Sequence, residues 1–430
     1  MGLRVLATLL VTFISIVWSF RDAFYGLIGY AFWSYTYPEK STWGFLPLHN
    51  LSYVMGLVLV WTTFMQRRRL FTNDNLNKAV IIFWFLCLAS VVTAGMTDLA
   101  LWQFKFFTRI ILISLIITML VDDRKRFRYY LWAIVIFIGL IAARSGIIGT
   151  LRGDTGGASS GFQGVIGDRN FMAVILCTAI PIVFFMVSVE RNKWLKLLLL
   201  ITLAGDVMAL ILTYARAGFA GLLAIGVFAI LKSKRKVLVI VLAIIIVPLF
   251  IKYFVTGTYT KRMGTIGETA RKEGDVDSSV AGRLAAWKSA FEMIKDRPLT
   301  GVGFYNSESM MEKYPDPDTG RALPGKAIHN SIIQVAAEAG VPALLLFLGI
   351  FVTGYRRLGK IKKLVSKGLV IHKEIWDYAS MLQVSFVGYF ACGFFVNAAF
   401  LDLPWHLVAL SIALGQIADK EMAKTEMPAA

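Results

Sequence analysis

Several basic residues of this chain fall where charge is expensive. Lys105 and Arg109 stand four apart near the outer end of a long apolar run, so a helix carries both on one face. Arg144, Arg152, Arg169 and Arg216 lie in or beside connections between other apolar runs. A lone Arg at a membrane boundary commonly snorkels to headgroups, but six cations on one side ask for another explanation. Charges at membrane depth usually line a cavity or pathway, and guanidinium forks match phosphate oxygens in geometry and charge. The group therefore suits an anionic ligand, with Asp168 and Asp206 as possible counter-charges. Arg216 is the sharpest case. The stretch Thr213-Tyr214-Ala215-Arg216-Ala217-Gly218 is a tight turn between apolar runs and leaves the side chain little freedom.

A second kind of chemistry is offered by His329, one of four histidines. In His329-Asn330-Ser331 it directly precedes an apolar run that includes Glu338, Gly340 and Pro342. An imidazole at such a junction titrates near neutrality and reaches both water and a lipid-borne substrate, as a general base must; a capping histidine is the plainer reading. Upstream, Val280, Leu284, Trp287, Phe291 and Ile294 follow a 4-3-4-3 spacing that predicts an amphipathic helix lying on the membrane or on the spans beneath it. Asp277, Ser278 or Ser279 can cap its start, and Arg297-Pro298-Leu299 ends it. Arg283 then stands near the helix start, as a ligand contact or as a solvated charge. Asp316-Pro317-Asp318 resembles a short acidic metal motif, but it sits among prolines without a second ligand cluster, and no metal site is expected.

The elements that must hold these residues are membrane spans. Of 430 residues, 57% are hydrophobic and 17% charged, and the mean hydropathy is +0.66, far more apolar than a soluble core requires. Runs of roughly 17 to 25 apolar residues, enough to cross a ~30 Å hydrocarbon layer, recur from end to end. The expected fold is an all-α polytopic membrane protein with about 12 to 13 transmembrane helices and one large periplasmic loop containing short helices. The first run, 3–20, mimics a signal peptide but lacks a small-residue cleavage site, so it is expected to stay attached. Cys87, Cys177 and Cys392 all fall inside apolar runs and imply no disulfide framework.

The net charge of +18 follows membrane topology and does not gather on one soluble face, which excludes a nucleic-acid partner. Basic connections at 67–69, 124–128, 191–196, 232–236 and 356–367 alternate with the connections at 97–98, 152–170, 214–218, 255–328 and 402. By the positive-inside rule the first set is cytoplasmic and the second lies outside; the orientation of the N-terminus is left open. The division that follows is a transmembrane bundle over 1–254, a large outer loop over 255–328, C-terminal spans over 329–418 and a cytoplasmic tail over 419–430. The loop carries eleven Lys and Arg against ten Asp and Glu, a balance suited to a folded aqueous segment.

Taken in order, TYARAG at 213–218, GRLAAWKSAFEMIKDRPLTGVGFYN at 282–306 and HNSIIQVAAEAGVPALLLFLG at 329–349 form a series. It resembles the O-antigen ligase and O-antigen polymerase superfamily over about residues 165 to 355. The aromatic N-terminal part, with Trp33, Tyr35, Pro38 and the WGF at 43–45, resembles the subgroup of O-glycosylation ligases associated with exosortase systems. The resemblance implies a metal-independent, inverting glycosyltransferase without cofactor in the bacterial inner membrane. Such an enzyme takes a glycan from undecaprenyl pyrophosphate at the periplasmic face. Its acceptor is a hydroxyl of lipid A core, of a protein or of a polysaccharide.

By motif, Arg216 and Arg283 match the superfamily's pyrophosphate-binding arginines and His329 its catalytic histidine. Lys105, Arg109, Arg144, Arg152 and Arg169 join the expected pyrophosphate-binding set by position alone. Two alternatives stand beside this reading. A polymerase of the same superfamily lengthens lipid-linked glycan, and a transporter moves it; a transporter usually places its site near the midplane between repeated halves, whereas here the polar residues favour the outer face and no repeat is evident.

Overall fold

A computed structural model of the chain describes residues 3–36, 38, 51–143, 167–232, 244, 280–370 and 372–426. Within them the fold is all-α, with fourteen helices and no strand. In chain order they are α1 (Leu3–Ser19), α2 (Ala23–Thr36), α3 (Leu51–Arg67), α4 (Asn75–Val92), α5 (Thr97–Leu120), α6 (Arg124–Ala142) and α7 (Arg169–Val189). There follow α8 (Lys193–Leu212), α9 (Arg216–Lys232), α10 (Val280–Asp296), α11 (Ser307–Met310), α12 (Ser331–Ser366), α13 (Glu374–Gly393) and α14 (Asp402–Glu426). Many start where an acid or amide side chain accepts hydrogen bonds from the first free N–H groups: Asp74 for α4, Asp123 for α6, Asp168 for α7, Asn192 for α8 and Asn330 for α12.

Five of these helices, α4, α5, α7, α8 and α12, are long and apolar enough to cross a membrane. The twelve or thirteen spans expected above also counted shorter elements, such as α1, α3 and α9 with 17 residues each and α2 with 14. They further counted the run 237–254, which lies outside the described residues, as do the WGF at 43–45, Arg144, Arg152, the glycine-rich stretch 153–164 and the caps Asp277, Ser278 and Ser279. At the far end of the chain α14 continues as helix through 419–426, without a break at 418.

Ion pairs gather four of the five basic connections at one end of the bundle; the fifth, 232–236, lies outside the described residues beyond Lys232. Arg67 pairs with Asp122 at 3.0 Å, Arg124 with Glu374 at 2.7 Å, Arg126 with Asp22 at 2.5 Å, Arg128 with Glu190 at 2.5 Å and Arg357 with Asp74 at 2.8 Å. The α1–α2, α3–α4, α5–α6, α7–α8 and α12–α13 connections therefore share an end. The Asp22 pair places the α1–α2 turn at that same end, so α1 runs toward it.

Two kinds of packing hold the interior. Aromatic rings from α4, α5, α12 and α14 converge on buried Trp405, with Phe83 stacked at 5.1 Å, Phe107 at 5.6 Å and Phe351 at 5.5 Å. Elsewhere small residues bring backbones together, as expected where lipid competes for apolar contact. A Cβ on Gly388 of α13 would stand 2.3 Å from the Cys177 carbonyl oxygen of α7. All three cysteines are buried and free.

The loop before α12 enters the helix itself. Gly340, at φ 85°, breaks α12 into two helical pieces. Into the break runs segment 298–302: Val302 N–H donates to Ala337 O at 2.8 Å and Val341 N–H to Pro298 O at 2.8 Å. A Cβ on Gly340 would meet Leu299 O at 2.3 Å, so only glycine permits this approach. α10 ends at Asp296, as the Arg297-Pro298-Leu299 signal predicts, but its buried face is rotated from the expected stripe. Ala286, Ala290 and Met293 are fully buried and Trp287 and Ile294 partly so, while Leu284 and Phe291 are exposed. Small alanines let α10 lie close against Ile328, Ile333 and Ala337, and that close approach outweighs the larger side chains.

Candidate active site

His329 is held by its neighbours more than by its own side chain. Its backbone is left-handed, at φ 54°, a conformation a non-glycine residue keeps only where the surroundings enforce it. Asn330 supplies one constraint: its Oδ1 accepts from Ile332 N–H at 2.9 Å and Ile333 N–H at 3.1 Å, and its own N–H donates to Asn397 Oδ1 at 3.2 Å. Ser331 supplies another, donating to Val396 O at 2.7 Å and accepting from Ala398 N–H at 2.9 Å. From the other side Trp287 donates its indole N–H to Ile328 O at 2.8 Å. Trp287 stands four residues after Arg283, so the helical repeat turns Arg283 toward the same side.

Around His329 the cations form a chain: the Arg283 charge reaches the imidazole, and the Arg169 and Arg216 charges reach Arg283. Arg169 opens α7, Arg216 opens α9, and Arg283 lies in the first turns of α10. Arg169 and Arg216 are exposed; Arg283 and His329 are partly buried. Burial pushes the Arg283 guanidinium below its ordinary pKa, and the Arg216 and Arg169 charges push it further down. Arg283 makes no ion pair among the described residues. The His329 imidazole is likewise lowered, first by burial and then by Arg283 and Lys326, against an opposing pull from Asp168. The free N–H groups at the starts of α7, α9 and α12 add positive potential on the same side. Tyr214, in the turn that launches Arg216, is also left-handed, at φ 51°, with the next N–H, that of Ala215, donating to Thr213 Oγ1 at 3.2 Å. The arrangement can bind a multiply charged anion and, through a neutral imidazole, accept a proton beside it.

The other expected residues are placed differently. Lys105 and Arg109 share a face of α5, as their spacing predicts, but Arg109 stacks on Tyr53 of α3 at 4.3 Å and on Phe106 at 5.0 Å. Asp168 caps α7, accepting from Asn170 N–H at 2.7 Å and Phe171 N–H at 3.1 Å, and lies near His329. Asp206 is buried in α8, and neither of its oxygens is hydrogen-bonded among the described residues, so it is not the arginines' counter-charge. Asp316 closes a local turn by accepting from Thr319 Oγ1 at 2.7 Å, and Asp318 pairs with Lys288. Among the described residues no group of three or more His, Cys, Asp or Glu is placed to hold a metal ion.

Sequence reasoning missed two contributors and gave a third, Glu338, no role. Lys326 stands three residues before His329 in a glycine- and proline-rich turn and reads as an ordinary loop charge. Asn397, which clamps Asn330 and donates to Glu308 at 3.5 Å, lies 67 residues downstream. Glu338 is buried beneath the site, accepting from Ser307 Oγ at 2.6 Å and Gln334 Nε2 at 3.2 Å, and so ties α11 to α12. An acid within an apolar run was the only available signal.

Residues 197–348, which hold Arg216, Arg283 and His329, match the O-Antigen ligase family. Residues 3–191, which hold Lys105, Arg109 and Arg169, match a family of unknown function, DUF5935. Over 99 residues the chain is 31% identical to the exopolysaccharide production protein ExoQ of Rhizobium meliloti (strain 1021); the match covers 21% of each protein, so the chain spans about a fifth of that relative's length. In the segment that carries His329, Arg216 and Arg283, the chain thus resembles the O-antigen ligase and exopolysaccharide superfamily.

Proposed function

We propose that the protein is a glycosyltransferase of the O-antigen ligase type. It transfers a glycan from undecaprenyl pyrophosphate to an acceptor hydroxyl of lipid A core, of a protein or of a polysaccharide. The observation that carries this reading is the grouping of Arg169 and Arg216 about Arg283 and of Arg283 about His329, with both Arg283 and His329 pushed toward lower pKa. Placing the ion-paired end in the cytoplasm of a bacterial inner membrane, in line with its basic connections, turns the His329 end to the periplasm. The aromatic N-terminal segment supports an O-glycosylation ligase of the exosortase-associated kind.

In this mechanism the arginines bind the donor's pyrophosphate and stabilise the charge it gains on departure, a role that needs no metal ion. The acceptor oxygen attacks the anomeric carbon from the face opposite the pyrophosphate, inverting that centre. The new C–O bond forms as the bond to the phosphate oxygen breaks, and the electron pair leaves on the pyrophosphate. His329, kept neutral by its lowered pKa, takes the hydroxyl proton.

The likeness to an exopolysaccharide production protein favours a second reading, a polymerase that adds lipid-linked units to one another. Product analysis in a deletion strain complemented with wild type or His329→Ala separates the two. Loss of finished conjugate with long lipid-linked glycan retained is expected of a ligase. Retention of short lipid-linked units alone indicates the polymerase, and a His329→Ala strain indistinguishable from wild type refutes the catalytic assignment.

A further inference from the structure

Arg109 is the thirteenth residue of the 24-residue α5, about 18 Å along the helix from Thr97 at ~1.5 Å per residue. A guanidinium at that depth is costly unless something answers its charge. What the structure offers is aromatic, the rings of Tyr53 at 4.3 Å and Phe106 at 5.0 Å. Its Nε is buried without a hydrogen-bond partner, and neither Arg109 nor Lys105 forms an ion pair among the described residues. Neither cation is among the charges that act on His329 or Arg283. Phe104 and Phe107, which pack on Phe304 at 5.7 and 5.6 Å, mark the face of α5 turned to the outer loop. Arg109 is about 200° round the helix from Phe107 at ~100° per residue. On that far side large apolar groups are open to the surroundings: Tyr53 is 45% exposed, Leu57 70% and Trp102 65%.

We infer that Lys105, Arg109 and Tyr53 form a second anion site, open sideways to lipid between α3 and α5, which takes the phosphate of a lipid headgroup. Stacking fixes the guanidinium plane and strips part of its hydration, leaving its fork to bind phosphate oxygens. Lys105, one turn nearer the outer end, adds a second charge about 6 Å along the helix axis. Only a molecule already in the bilayer reaches such a site from the side. Snorkelling to bulk headgroups is the competing description, but it leaves a partnerless Nε held between two rings unexplained.

The test is lipid binding by the purified full chain in detergent, read by native mass spectrometry without turnover, so its failure leaves the His329 reading untouched. The probes are phosphatidylglycerol, undecaprenyl phosphate and, as a phosphate-free control, diacylglycerol. Wild type is expected to retain a phosphate lipid in preference to diacylglycerol, and Arg109→Gln and Lys105→Gln each to weaken it about ten-fold or more. The phosphate lipid that depends more strongly on the pair identifies the source, a bulk phospholipid or a polyprenyl carrier. Equal retention of diacylglycerol overturns the site. Should Arg109→Gln fail to fold, the exposed Lys105→Gln decides alone, and unchanged affinity in that variant overturns it.

Discussion

The two ends of the helix bundle treat positive charge in opposite ways. At the end that gathers the basic connections, Arg67, Arg124, Arg126, Arg128 and Arg357 each meet a carboxylate within 3.0 Å. At the other end Arg283 feels the charges of Arg169 and Arg216 and itself acts on His329, and burial adds to the repulsion at Arg283. Paired charges settle topology and stability. A partly buried cation held against like charges, as Arg283 is, keeps binding energy in reserve for a ligand, and a fold tolerates that cost where function requires it. Substitutions at the two ends should therefore separate rate from stability.

The largest effect is expected at His329. His329→Ala should lower the transfer rate ~10²- to 10⁴-fold, as loss of a general base does, with thermal unfolding of the purified protein little changed. Next come Arg216→Gln and Arg283→Gln, each expected to cost about 10²- to 10³-fold in turnover. Arg283→Gln should leave the midpoint of unfolding unchanged or raised, because it relieves repulsion; a marked fall would make Arg283 a structural residue. The converse belongs to the other end. Glu190 is nearly buried, accepts from Arg128 at 2.5 Å and caps Arg191 and Asn192 N–H at 2.9 Å each. Glu190→Gln should cost roughly 1.5 to 3 kcal/mol of stability while turnover per folded molecule stays near wild type.

The smallest effects are in pH dependence. The rate requires neutral His329, so it falls as pH drops through the imidazole's pKa, which lies below the ordinary histidine value. Arg283→Gln removes one cause of the lowering and should move this acid limb to higher pH. Asp168→Asn keeps a competent helix cap but removes the opposing pull, and should move the limb lower. Movement of both limbs in one direction would exclude electrostatic control of His329 by these two groups.

Much of this contrast was legible in the sequence, because periodicity and capping are local. The Asp and Asn caps stand beside the runs they start, the TYARAG turn predicts where α9 begins, and Arg297-Pro298 predicts where α10 ends. For the four described basic connections, their alternation with the others foretold that they share an end. Long-range contacts gave no such signal. The clamp of Asn397 on Asn330 spans 67 residues, and the entry of segment 298–302 at Gly340 depends on two backbones meeting. The buried face of α10 departs from the 4-3-4-3 stripe because Ala286 and Ala290 allow a closer approach than Leu284 and Phe291 would. Lys105 and Arg109 were rightly placed on one face, but the rotation of α5 that turns them from His329 is set by Phe104 and Phe107 packing on Phe304.

The most direct test is transfer by purified protein supplied with a lipid-pyrophosphate-linked glycan and a hydroxyl acceptor, following conjugate and released undecaprenyl pyrophosphate together for wild type, Arg283→Gln and His329→Ala. Equal amounts of both products from wild type, with both variants folded and slowed at least ~10²-fold, is the predicted result. Wild-type turnover by a folded His329→Ala, or donor consumed with no glycosidic product, would contradict it.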